Sequence, residues 1–447
     1  MAKSMTEGRP FRLILRFALP LLVGNLLQQT YNMIDAAIVG QVLGSDGLAA
    51  VGATSSAQFL ILGFCLGMCT GFGVPVASSF GANDTRQMKD YIAHAMLIAA
   101  VLAVVMTSLC VALCPTILRI LSVPEDIFAD TYSYLVIIFL GIPFIILYNL
   151  LASILRSVGD SRTPFVFLAI STVLNIFLDI LCVAILPLGC AGAAIATVVA
   201  QGISGLLCLV YIWKKVPLLH PERMDGRFRA RPVKRLLAMG LPMGFQFSVT
   251  AIGSMTMQSA NNALGSIYVS GFTAGNRIKQ FVMCPFDAIA TATSVFCSQN
   301  LGAGKTDRIT KGFREGLALA VGYGVIAGIV LIFAGRTLSL LFVSSDEVEI
   351  LDASGKYLRY IGVFFWTLGF LNVSRLTTQG LGFSGRAIFS GVIEMIARVV
   401  VSRVFVPIAG FTAICCADQA AWIAAILYIV PMCFYCIAKV RRQVREK

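Results

Sequence analysis

Four polar residues in one apolar run, Asn25, Gln28, Asn32 and Asp35, follow one another in steps of three, four and three. At about 100° per residue they fall within a sector of roughly 80° on a helix. The run from Ala18 to Gly40 is long enough to cross a bilayer, with Pro20 near its start and Asp35 near its far end. A carboxylate inside a span costs roughly 3 kcal/mol or more, so by default it marks an ion or proton pathway.

Further along the chain, Ser171, Thr172, Asn175 and Asp179 share one helical face, and Thr197, Gln201 and Ser204 make another stripe. Asp35 and Asp179 stand a similar number of residues before the outer ends of their segments, and Thr197 a similar number after an outer start. At about 1.5 Å per residue, all three share one level in the outer half of a membrane. Two carboxylates brought together cannot both stay charged without a partner. With amide and hydroxyl oxygens at the same depth, they suit either a Na⁺ cage or a proton site.

The elements that must position these groups are membrane helices. Of the 447 residues, 58% are hydrophobic and 13% charged, the latter about half of the roughly 25% of soluble domains. Twelve apolar segments can be read, near 13–41, 47–79, 87–114, 126–156, 162–184, 190–213, 234–263, 268–299, 314–342, 350–379, 386–406 and 412–438. The fold class is therefore an all-α polytopic membrane protein with twelve transmembrane helices. The net charge of +13 is placed as the positive-inside rule expects, not as a nucleic-acid surface. Lys214, Lys215, Arg223, Arg227, Arg229, Arg231, Lys234 and Arg235 crowd the central link, opposed only by Glu222 and Asp225. Arg9, Arg12 and Arg16 precede the first span, and Lys439, Arg441, Arg442, Arg445 and Lys447 follow the last. Acidic loops at Glu125–Asp130 and Asp346–Asp352 have the opposite parity. Both termini and the link are expected in the cytoplasm of a bacterial cell membrane. No removable signal peptide is read at the N-terminus. The thirteen cysteines, including Cys415, Cys416, Cys433 and Cys436, are read as small apolar residues, since no histidine joins them.

The two halves repeat. ALPLLVGNLLQ at Ala18 returns as GLPMGFQFSV at Gly240, aligning Pro20 with Pro242. LGS at Leu43 returns at Leu264, SSFGANDTRQ at Ser78 as SQNLGAGKTDR at Ser298, and SVGDSRTP as GLGFSGRA. The offsets stay between 220 and 224 residues. Six spans per half keep the orientation, so the repeat is parallel. It predicts two six-helix bundles: residues 1–213, a basic linker 214–233, and residues 234–447. Transporters on that plan bind substrate between the halves. The second half breaks the symmetry. The partner of Asp35 falls at Thr256 or Met257 and that of Asp179 near Ser402, and neither is a carboxylate. A neutral face of Gln246, Thr250, Ser254 and Asn261 suits a water-filled cavity, as do Asn25, Gln28, Asn32 and Gln201 of the first half. Asp287, beside Pro285, is a weaker ion-site candidate. Glu394 and Arg398, four apart, make an internal ion pair, and Arg375 is expected to snorkel to the inner face.

The ALP opening with TYNMIDAAIVGQVLG, the ASSFGA and QNLGAG turns, and LRSVGDSRTP resemble the MATE family of multidrug and toxic compound extrusion transporters over essentially the whole chain. The resemblance implies a secondary antiporter, not an enzyme, that exports organic, cationic or amphipathic compounds as Na⁺ or H⁺ enters by alternating access between two lobes. It implies no cofactor beyond the coupling ion. In the branch named for a DNA-damage-inducible protein, Asp35, Asn175, Asp179 and Thr197 match the ion-coupling cluster, and Pro20 the bending proline of the first helix. The norfloxacin-exporter branch carries a Glu on helix seven and an Asp on helix ten. Here Thr250 stands near the former position and the span of helix ten has no Asp, which argues against a cation site of that kind.

The mechanism this implies begins with a cation or proton neutralising Asp35 and Asp179. The first helix, interrupted at Pro20, changes its bend and the bound compound leaves outward. The nearest rival is a flippase for a lipid-linked or amphipathic metabolite of the same superfamily, which would need cationic residues to hold pyrophosphate. No pore filter, HExxH, GxSxG or P-loop pattern supports a channel, an enzyme or an ATP-driven pump. The expected partners are small organic substrates and membrane lipids, without nucleic acid, and the expected state is a monomer.

Overall fold

The computed structural model describes residues 3–121, 123–186, 188–220 and 229–446. Glu222, Arg223, Asp225 and Arg227 of the basic link, and Lys447, lie outside the described residues. The described chain is helical almost throughout and forms twelve rods. They are α1 (Pro10–Gly44), α2 (Asp46–Gly81), α3 (Thr85–Ile120), α4 (Glu125–Leu140 and Ile142–Ser157, bent by 44°), α5 (Arg162–Asp179 closed by a π turn at Ile180–Ile185) and α6 (Gly189–Lys215). After the link come α7 (Ala230–Asn262), α8 (Ser266–Gly302), α9 (Thr306–Ser339), α10 (Val348–Phe364 and Thr367–Gly380), α11 (Ser384–Val400, a π turn at Val401–Phe405, then Val406–Ala409) and α12 (Phe411–Arg445). Nine rods are long and apolar enough to cross a membrane alone, and the two halves of α4 qualify together. The remaining two, α10 and α11, carry Lys356, Arg359, Arg375, Glu394 and Arg398, which lowers their hydropathy.

The repeat is written into the backbone. Left-handed residues pair at matching places: Gly44 with Gly265, Asn83 with Gly304, Gly159 with Gly382, and Gly189 with Gly410. Each pair stands at a turn where a rod begins or ends, and only Asn83 carries a side chain there, a residue type that tolerates this region. The π turns closing α5 and opening the last part of α11 fall at corresponding points as well.

The chain forms two compact units. Unit 1 holds Met1–Ser4 and Val23–Gly244, and unit 2 holds Met5–Leu22 and Phe245–Lys447. Each division within a helix lies two residues beyond a proline, Pro20 in α1 and Pro242 in α7. A proline removes one ladder hydrogen bond and so marks a natural place for a helix to change neighbours. In unit 1, Gly67 and Gly71 of α2 lie against Gly240, Met243 and Gly244 of α7. A Cβ on Gly67 would stand 2.5 Å from Met243 O, and one on Gly71 2.6 Å from Gly240 Cα. Small residues four apart on both helices allow this approach. In unit 2, the buried core runs from Ile14 and Phe17 through Phe286, Phe296, Tyr357 and Phe365 to Trp422.

The segment before α1 is docked in both its parts. Lys3 N–H donates to Val158 O at 2.9 Å within unit 1. In unit 2, Met5 is 3% exposed and donates its N–H to Gln299 Oε1 at 2.8 Å. Asn300 Nδ2 reaches Met5 O at 3.2 Å, and Arg308 donates to Gly8 O at 2.9 Å.

Candidate functional site

The site in unit 1 is set by how α5 packs on α6. Ser171 Oγ donates to Ala200 O at 2.8 Å and Ser204 Oγ to Phe167 O at 3.1 Å. These bonds turn the polar face of α5 inward, leaving Asn175 2% and Asp179 0% exposed. From α1, the carboxyl group of Asp35 comes within electrostatic reach of that of Asp179. Thr197, on the facing side of α6, bonds through Oγ1 to Tyr31 Oη at 3.1 Å. Tyr31 lies one turn before Asp35 and within electrostatic reach of both carboxylates.

The unpaired acceptors of the site outnumber its donors. Among the described residues, Asp35 Oδ1, both carboxylate oxygens of Asp179, the side-chain oxygen and nitrogen of Asn175, and Gln201 Oε1 are buried without a hydrogen-bond partner. A buried polar atom left unpaired costs about 1–3 kcal/mol, and no Lys or Arg is paired to these carboxylates among the described residues. The donor set is all oxygen, which is suited to a hard monovalent cation or a proton and not to a soft transition metal. Two further residues complete the wall. Tyr134 of α4 is 5% exposed and lies near the Gln58 side chain of α2; Gln58 Nε2 donates to Thr54 Oγ1 at 2.7 Å. The polar stripe led to Asp35 but passed over Tyr31, although its i, i+4 spacing to Asp35 was visible. Nothing local in the sequence pointed to Tyr134 or Gln58.

The remaining candidates scatter. Gln28 and Asn32 are exposed along α1, and Asn25 is half-buried. Gln246 is buried in unit 2, accepting from Gln379 Nε2 at 2.6 Å. Ser254 Oγ back-bonds to Thr250 O at 3.2 Å. Pro20 is half-buried and Asp287 exposed, the latter within electrostatic reach of Arg375. Arg375 does not snorkel. It is 8% exposed, paired with Glu394 and bonded through Nε to Ser390 Oγ at 2.9 Å, because a buried carboxylate on α11 is a better partner than a distant headgroup layer.

Unit 2 holds its own buried ionic network. Lys279 Nζ of α8 lies 2.8 Å from Asp418 Oδ2 of α12 and donates to Tyr357 Oη of α10 at 2.9 Å. Tyr357 Oη in turn donates to Asp418 Oδ2 at 3.1 Å. Arg398 Nε of α11 binds Asp418 Oδ1 at 3.1 Å, and its Nη2 stands 3.5 Å from Glu394 Oε2. The Glu394–Arg398 pair expected from sequence is thus one edge of a larger cluster.

The MatE family model matches this chain at residues 20–181 and again at 242–404, once in each half. The protein described as "Probable multidrug resistance protein YpnP" of Bacillus subtilis is 30% identical over 82% of each chain. A protein of Shewanella oneidensis named "FAD transporter" is 24% identical over 80% of this chain and 79% of its own. An outward-facing structure of a multidrug resistance MATE transporter superposes with a TM-score of 0.92 at 20% identity, covering 98% of both chains.

Proposed function

Because the chain belongs to the MatE family of secondary transporters, we propose that it exports organic cationic or amphipathic compounds in exchange for inward Na⁺ or H⁺. The observation that carries this reading is the excess of unpaired buried acceptor oxygens on Asp35, Asn175 and Asp179. A cation or proton supplies what those atoms lack. The relatives named for multidrug resistance support the cargo class; the FAD transporter extends it to larger amphipathic metabolites.

The ion enters from outside and neutralises Asp35 and Asp179, with Asn175 and Thr197 as neutral oxygen ligands and Tyr31 holding the Thr197 hydroxyl. The inward step is assisted by about 2.3 kcal/mol per charge per 100 mV. Loss of the repulsion between the carboxylates favours a different path of α1, which can change direction near Pro20. The six-helix lobes 1–213 and 234–447, joined by the basic link 214–233, then exchange access from one side to the other. The distribution of Lys and Arg supports both termini and the link lying in the cytoplasm.

The test is transport in liposomes. Ethidium movement is followed under an imposed Na⁺ gradient and, separately, an imposed pH gradient, for wild type and Asp35→Asn. Wild-type transport that the variant loses supports the reading and names the driving ion. Coupled transport undiminished in Asp35→Asn would refute it.

A further inference from the structure

The buried network of unit 2 occupies the repeat positions of the site in unit 1. Three of the four left-handed pairs, with one pair of helix caps, give the register without reference to side chains. Gln58 and Lys279 each stand fourteen residues beyond the left-handed glycines Gly44 and Gly265. Asn175 and Arg398 each stand sixteen beyond Gly159 and Gly382, and Thr197 and Asp418 eight beyond Gly189 and Gly410. Tyr134 and Tyr357 each stand ten beyond the residues that cap their helices, Pro124 and Glu347. The neighbours repeat too: Tyr134 lies near Gln58 in unit 1, and Tyr357 Oη accepts from Lys279 Nζ at 2.9 Å in unit 2.

The charges differ. In unit 1 the shared framework surrounds Asp35 and Asp179, whose buried oxygens have no donor among the described residues. Their repeat positions, Thr256 and Ser402, carry none of that charge. In unit 2 the carboxylate sits instead on α12, and both of its oxygens are taken: Asp418 Oδ2 by Lys279 and Tyr357, Oδ1 by Arg398.

From this we infer that unit 2 retains the ion site of the ancestral half in a permanently occupied form, with the Lys279 ammonium as a tethered substitute for the exchangeable cation. Unit 2 is thereby held in the state unit 1 reaches only on binding, and ion-driven change is confined to unit 1. A covalently held ammonium cannot leave, so the carboxylate it neutralises cannot take part in exchange. The Arg398 guanidinium, fixed to Asp418 Oδ1 and close to Glu394, keeps the second oxygen closed to solvent cations. The inference rests on the reading of unit 1 as the coupling site.

The experiment measures thermal unfolding of the purified full chain with and without Na⁺ and with propylammonium chloride, against choline chloride as the salt control. In the Asp35→Asn background, where the site of unit 1 is silenced, Lys279→Ala is expected to lower the melting temperature by roughly 10 °C. At least half of that loss should return with Na⁺ or propylammonium and not with choline, which is too large for the vacated space. Adding Asp418→Asn should abolish the response. A Lys279→Ala protein that responds to none of the cations would overturn the inference, leaving Lys279 as an ordinary structural ion pair. If Lys279→Ala does not fold, the reciprocal change decides. Gln58→Lys, placing an ammonium at the matching position of unit 1, should remove the Na⁺ response of the otherwise native chain, and a response like that of wild type would overturn the idea. A wild-type chain lacking any Na⁺ or proton response would instead refute the coupling role of unit 1, while the rescue in the Lys279→Ala variant would still report separately on unit 2.

Discussion

Tyr31 Oη lies 3.1 Å from Thr197 Oγ1, joining α1 to α6 one turn before Asp35. The bond ties up a hydroxyl that could otherwise rotate, so the Thr197 oxygen is fixed relative to the carboxylates. Tyr31→Phe removes the tie and leaves the aromatic packing. It should weaken apparent affinity for the coupling ion by about tenfold, the equivalent of roughly 1.4 kcal/mol, with little change in maximal transport at saturating ion. Flux measured against ion concentration checks this, and a fall in maximal rate at unchanged affinity would contradict the positioning role.

The proposed sharing of one proton or cation by Asp35 and Asp179 means that their effects should not add. Asp35→Asn and Asp179→Asn are each expected to abolish ion-driven transport, and the double variant to be no worse than either. Stability should move the other way. In Na⁺-free buffer at alkaline pH, where both carboxyls are forced to ionise, replacing one removes like-charge repulsion at a buried site, so Asp179→Asn should melt a few degrees higher than wild type. A lower melting temperature in that buffer would mean the carboxylates are held by partners and do not wait for one.

Much of this architecture was legible before any coordinates. The polar stripe ending at Asp35, the Asn175–Asp179 turn and the matching loops at Gly81 and Gly302 follow from period and spacing, which a single sequence displays. What it hid was side-chain pairing over long separations. Tyr134 and Gln58 meet across seventy-six positions of chain, and no local pattern marks a tyrosine whose partner is a glutamine on another helix. Arg375 was misread for the same reason. Its distance from a membrane face is a property of one helix, whereas its burial depends on Glu394 and Ser390 arriving from another.

The close approach of α2 and α7 in unit 1 gives a prediction about packing alone. A Cβ on Gly71 would meet the backbone of Gly240 at 2.6 Å, and backbone cannot move aside as a flexible side chain does. Gly71→Val should therefore cost about 1–3 kcal/mol or more through overpacking. Gly52, with open space around its Cβ position, should tolerate Ala with a change below about 1 kcal/mol set by helix propensity. Thermal melts of the two purified variants compare them directly.

The docked segment before α1 makes the last prediction. Asn300 Nδ2 donates to both Met5 O and Phe296 O, at 3.2 and 2.8 Å, while its Oδ1 accepts from Arg308 Nε at 2.9 Å. Arg308 in turn holds Met5 O and Gly8 O. One amide thus aligns the guanidinium that fixes the entry to the first helix. Asn300→Ala removes two donated bonds and frees Arg308 to turn to water, a loss of about 1–2 kcal/mol. The segment should loosen before the rest of unit 2 does, because it is then held by the Gln299 bond to Met5 N–H, the Lys305 bond to Thr6 O and the burial of Met5, without a helix ladder of its own. Limited digestion with a Glu-specific endoprotease checks this by the rate of cleavage after the exposed Glu7, which should rise several-fold in Asn300→Ala at a temperature where the membrane helices stay intact. An unchanged rate would show that Gln299, through its bond to Met5 N–H, suffices to hold the segment without Asn300.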